Sequence, residues 1–164
     1  MTSKIEVGML HNKPELLLDI PASDLSYEMC QVAVFSNPML LKNIPLVFLE
    51  KNDGHIAKLA VGVDGMAIAH LDPKYLNQEI CEIASKKLKK NNGDECFLAH
   101  IPYSMITEKI CIRAVKHNKN NIDYVPLVYL NDNIGEIVMS SNDNYFLAKL
   151  PLLTRKNLSQ RPVR

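Results

Sequence analysis

The stretch TEKICIRAVKHNKNNIDYVP, Thr107 to Pro126, carries a cysteine at 111 and a histidine at 117, a pairing that invites a catalytic or metal reading. Its meaning changes once the same wording is found elsewhere. Met29 to Pro45 reads MCQVAVFSNPMLLKNIP, Ile56 to Pro73 reads IAKLAVGVDGMAIAHLDP, and Ile80 to Leu88 reads ICEIASKKL. A weaker copy, IGEIVMSSN, runs from Ile134 to Asn142. Three columns recur together, which marks an internal repeat. One is always small: Cys30, Ala57, Cys81, Cys111, Gly135. A second follows three residues later: Ala33, Ala60, Ala84, Ala114, Val138. The third is proline, at 21, 45, 73, 102, 126 and 151, spaced 24, 28, 29, 24 and 25 residues apart.

Each copy has a physical reading. Apolar residues precede the proline at helical spacing, as in Leu40, Leu41, Ile44 or Phe97, Leu98, Ile101. Proline interrupts a helix and biases the residue before it towards extended backbone. A capping residue follows (Ser26, Asn77, Thr107, Asn131), with an acid in the first turn of SYE and TEK. An amphipathic helix comes next, closed at Asn37, Asn118 and Asn142 or near Gly65 by residues that tolerate left-handed backbone. The unit is thus a helical hairpin. Polar insertions, EKNDG (Glu50 to Gly54) and KKNNGDE (Lys89 to Glu95), fall where a loop absorbs them.

A hairpin this short cannot bury its own apolar stripe, but stacked neighbours can. The small columns then let adjacent helices approach closely, and free cysteine serves as a small hydrophobe. The expected fold is all-α: an α-solenoid of five to six hairpin repeats of roughly 24–29 residues. The expected domain spans residues 1–153, with units at 8–21, 22–45, 46–73, 74–102, 103–126 and 127–151. Residues 154–164 form a flexible basic tail.

Composition supports a globular chain. Its 164 residues are 47% apolar and 23% charged, enough for one cored domain and too few for two comfortable ones. A net charge of +1, from 19 basic and 18 acidic side chains, opposes a global electrostatic fit to nucleic acid. The opening MTSKIEVGML lacks the basic and apolar regions of a signal peptide, and no apolar run reaches membrane-spanning length. Four cysteines without an export signal read as reduced thiols in a cytosol.

The wording A-V-x-x-N-(G/P) … (I/V)-P-x-x-L resembles a family of short α-helical repeats of unknown function, found in secreted effectors of intracellular bacterial pathogens and in amoebal proteins. The likeness is closest in AVKHNKNNIDYVPLVYL, Ala114 to Leu130, and good in Ala33 to Leu49 and Ala60 to Leu76. It covers roughly Gly8 to Leu153, departing at Gly135 and Val138. The half-unit Gly8 to Pro21 reads as an array that begins mid-period, or as a fragment of a longer protein. The resemblance implies a cytoplasmic bacterial protein or an effector secreted into a host cytosol. It brings no catalytic residues.

Column membership decides the opening pair. A nucleophile is singular and has a base in reach, whereas Cys111 shares its slot with Cys30 and Cys81, and His117 lies more than a turn and a half away. Cys111 is a packing residue. Cys96 and His100 stand at i, i+4, but without a C-x-x-C and with the thiols in separate units no metal site is expected. Asp64, Asp72, His70 and His100 occur singly, and no phosphate loop or nucleophile elbow is present. No catalytic residue, metal or cofactor is therefore assigned.

The expected activity is non-catalytic protein binding. Tyr75, Tyr103, Tyr124 and Tyr129, with Tyr27, gather near the prolines, and tyrosine joins large contact area to a polar tip. They are the candidate binding residues, with half-buried packing under the turns as the alternative. One rival function is an enzyme or enzyme inhibitor on the same scaffold. Another is contact with anionic lipid or nucleic acid through SKKLKK (Ser85 to Lys90) and the tail arginines, less expected because lysines also suit helix C-termini.

Overall fold

Thr107 accepts a hydrogen bond from the Ile110 amide, Asn77 from Ile80, Ser26 from Met29, and Asn131 from Asn133 and Ile134. Each fixes a helix start where the sequence places it, by satisfying an amide that has no partner inside the helix. The computed structural model describes residues 6–89, 95–140, 144–151 and 154–155, and every regular element among them is helical. The α-helices are α1 (Val7–Asn12), α2 (Tyr27–Ser36), α3 (Leu46–Leu49), α4 (His55–Val63), α5 (Gln78–Lys86), α6 (Glu108–His117), α7 (Asp132–Met139) and α8 (Asn144–Lys149). None among the described residues is long and apolar enough to cross a membrane.

In every expected hairpin but the last, where it is α8, the second arm is not α-helical. It is a 3-10 helix: Pro38–Asn43 after α2, Gly65–His70 after α4, Lys119–Tyr124 after α6. The expected left-handed closures at Asn37 and Asn118 are also absent. Both residues are extended, with φ −139° and −145°, and their side chains accept from the amide two residues on, as Asp64 does. Gly65 lies inside a 3-10 helix, and Asn142 lies outside the described residues. The physical reason is length. Only six residues separate the Asn or Asp cap from the extended residue before the proline slot, and 3-10 geometry serves short connectors between caps. The apolar positions still hold: Leu40, Leu41, Ile44, Phe97, Leu98 and Ile101 are buried.

The proline column shows one shift. Pro45, Pro102 and Pro126 share φ near −56° and ψ near 139°. In the third unit that conformation belongs to Asp72 (φ −59°, ψ 132°), and Pro73 moves into the following 3-10 helix. Counting from Asp72, Cys81 comes nine residues on, as Cys111 does from Pro102. Ala57 is twelve residues from Pro45, and the excess is absorbed where Asn52, Asp53 and Gly54 turn left-handed, at φ 52°, 54° and 69°. These are the residue types that tolerate such backbone. Lys58 ties the excursion down, reaching Asp53 at 2.7 Å and Glu79 at 2.8 Å.

Contacts gather the chain into two compact units, Met1–Lys87 and Leu88–Arg164. The division falls at the second polar insertion, of which residues 90–94 lie outside the described set. In the first unit α1 packs on α2, α2 on α4 and α4 on α5, with Pro38–Asn43 against Gly65–His70. In the second, α6 packs on α7, α7 on α8, and Phe97–His100 lies against Lys119–Tyr124. The small columns sit inside these layers. Cys30, Cys81, Cys111, Ala33, Ala60, Ala84, Ala114 and Val138 are fully buried, and Ala57 and Gly135 nearly so. Of the expected basic tail, only Thr154 and Arg155 are described. Arg155 donates to the carbonyls of Ala148 and Leu150, closing the end of α8.

Two glycines give a test with opposite signs. A Cβ at Gly54 would meet nothing closer than Ile80 Cδ1 at 3.9 Å, so Gly54→Ala meets only the left-handed strain and should cost about 1 kcal/mol. Gly62 has ordinary helical backbone in α4, and its Cβ would meet Ile83 Cγ2 at 3.9 Å. Gly62→Ala should therefore stabilise by about 0.5 kcal/mol. Urea unfolding of the two variants reads both.

Candidate functional site

Burial removes three of the four thiols from chemistry. Desolvation pushes Cys30 and Cys81 up to about 11 and Cys111 up to about 12. His117 donates from Nε2 to the Lys89 carbonyl, turned to the backbone rather than to a nucleophile. The other acid–base candidates are also engaged locally. Asp64 and Asp72 cap the amides of Met66 and Lys74 at 3.0 Å. His70 Nε2 lies 3.1 Å from Met39 Sδ, and His100 lies 3.2 Å from Glu95. No group of three His, Cys, Asp or Glu among the described residues could hold a metal ion.

The four candidate tyrosines separate by environment. Tyr75, half-buried in the first unit, donates its hydroxyl to Glu50 at 3.1 Å, and the Lys74 ammonium lies 4.8 Å from its ring centre. Tyr129 is half-buried in the second unit. Tyr103 and Tyr124 are exposed, 71% and 47%, and both line one shallow groove of about 410 Å³ with Ile101, Pro126 and Leu127. Tyr27, by contrast, packs edge-to-face on Phe48, ring centres 6.2 Å apart.

Aliphatic neighbours complete this surface. Leu127 and Val128 are 82% and 75% exposed, and Leu46 and Val47 hold the same place in the first unit at 53% and 60%. These residues escape a sequence reading because hydropathy assigns Leu and Val to a core. The signal was present in the repeated tripeptide Pro-Leu-Val at 45–47 and 126–128, whose two aliphatics precede the buried Leu49 and Leu130. The short helical turns after Pro45 and Pro126 point their first two side chains outward. Single exposed aliphatics are ordinary, but in the second unit Leu127 lines the same groove as the two exposed tyrosines, which gives an exposed apolar patch.

Among the described residues the basic clusters hold no comparable site. Lys86 and Lys87 end α5, where cations complement the helix dipole, and Lys90 lies outside the described residues. No protein-family model, curated protein or solved structure matches the chain.

Thiol labelling tests the packing role. At pH 8 a thiol of pKa 11 is thiolate in roughly one part per thousand. Maleimide should modify the half-buried Cys96 first, with Cys30, Cys81 and Cys111 slower by about a hundredfold or more until urea is added. Rapid native labelling at Cys111 would restore the nucleophile reading.

Proposed function

We propose that the chain is an α-solenoid of short repeats that binds another protein and performs no chemistry of its own. The observation that carries the architecture is the sequence separation of its side-chain links. Asn37 donates to Glu15 across 22 residues, Tyr75 to Glu50 across 25, Asn131 to Glu108 across 23, and Tyr145 to Asp123 across 22. Each link joins places close to one repeat apart, as stacking of successive repeats requires. The same setting supports kinship with the α-helical repeats of bacterial effectors, acting in a cytosol.

Binding is assigned to the edge formed by the turns after the prolines. Tyr103, Tyr124, Leu127 and Val128 present aromatic and aliphatic area that the fold itself does not cover. Protein partners favour such anchors, and spreading them over successive repeats widens the contact. Tyr75 and Tyr129, both half-buried, take a supporting part in the same turns.

Capture experiments with the full chain as bait test this reading, using lysate of the eukaryotic host that the effector resemblance implies. A partner retained by the parent chain should be lost from Tyr103→Ala/Tyr124→Ala/Leu127→Ser, with helicity by circular dichroism unchanged. Retention of every captured protein by the triple variant would remove the turn edge as the binding surface.

A further inference from the structure

The outward face of α6 is basic in a way that packing does not require. Lys109, Arg113 and Lys116 stand at i, i+4 and i+7, and Lys119 follows just beyond the helix. The corresponding places on α7 hold Asn133, Ile137 and Ser140, so the repeat tolerates neutral residues there. Lys109, Lys116 and Lys119 have no ion-pair partner among the described residues.

Lys116 and Lys119 border a groove of about 710 Å³ between α6 and α7. Ile112 and Ile137 line it too and remain half-buried, leaving apolar area for an occupant. Asn133 and Glu136 belong to its α7 side. We infer that this groove takes an acidic peptide segment of a partner protein, its carboxylates on Lys116 and Lys119 and its apolar side chains between Ile112 and Ile137. Charge complementarity selects the occupant, and the isoleucines give it a contact that free anions cannot use. Nucleic acid fits less well. Glu136 interrupts the positive lining, and the groove offers no aromatic face on which a base would stack. The groove shares no lining residue with that of Tyr103 and Tyr124, so failure here leaves the turn-edge reading intact.

The probe is a fluorescein-labelled peptide of Glu with Leu at i, i+3 and i+4, beside a counterpart with Gln for Glu, titrated with the full chain. Anisotropy should show the Glu peptide binding about tenfold tighter than the Gln peptide, with the gap closing as salt is raised. Lys116→Glu/Lys119→Glu should weaken the Glu peptide about tenfold or more, and Glu136→Lys should tighten it. Lys116 and Glu136 are exposed and Lys119 is half-buried, and thermal melts followed by circular dichroism establish that the variants fold. Should the double variant not fold, the gain in Glu136→Lys decides the matter alone. Equal binding of the two peptides overturns the inference, as does indifference to the charge changes. A single-stranded oligonucleotide that outcompetes the peptide would also overturn it, assigning the groove to phosphate.

Discussion

No α-helix among the described residues exceeds ten residues, a length at which an isolated helix is not stable in water. The central ones, α2, α4 and α5 in the first unit and α6 and α7 in the second, persist by meeting a neighbour across small buried residues. Cys30, Cys111, Ala33, Ala60 and Ala114 are fully buried, and so are the larger residues beside them, Ile56, Ile80, Ile110 and Ile134. The small residues set the approach, and the isoleucines supply the apolar area, each worth about 1.5–3 kcal/mol when removed from water. Side-chain caps then set where α2, α5, α6 and α7 begin. Side-chain oxygens of Ser26, Asn77, Thr107 and Asn131 take amides at the starts of α-helices, and Asn37, Asp64 and Asn118 do so for the 3-10 helices that follow. With so many helix ends per residue, capping is a continuous requirement here rather than a detail.

How far the fold could be read from the chain depended on what each column reports. Small and capping columns report burial and hydrogen bonding, and both hold at every described position named for them. Backbone type is less visible. The apolar triplets before the prolines fit either an α or a 3-10 helix, since residues three apart share a face in both. Only the distance between the Asn or Asp cap and the proline slot decides for the shorter element. The register shift at Asp72 and Pro73 was hidden for a similar reason: an aspartate at φ −59° occupies the place of a proline without looking like one. At Asn52 and Asp53 the chain announces a loop by composition, but not that three consecutive residues turn left-handed. The candidate site was half legible. Tyr103 and Tyr124 stood out as aromatics, whereas Leu127 and Val128 carry a core residue's hydropathy on an exposed turn.

What the packing leaves unused is where function must be sought. The thiols of Cys30, Cys81 and Cys111 are buried and held in the protonated form, and the single carboxylates and imidazoles are bound into caps and local contacts. Two kinds of surface stand out among the described residues. One is the apolar edge made by the turns after the prolines, repeated because the repeat is. The other is the basic row on α6, whose Lys116 and Lys119 have counterparts in Lys86 and Lys89 of the preceding copy but none on α7. On the proposed solenoid reading, outward side chains can vary without disturbing the interior, which suits recognition.

The close approach of small residues is most directly measured at Ala114, fully buried in α6, against Lys109, exposed on the same helix. Ala114→Phe should overpack the interior and lower the unfolding free energy of the full chain in urea by about 1–3 kcal/mol. Lys109→Phe should change it by no more than about 0.5 kcal/mol. Equal tolerance of phenylalanine at both positions would mean that no helix is closely packed against Ala114, and the stacked arrangement would have to be abandoned.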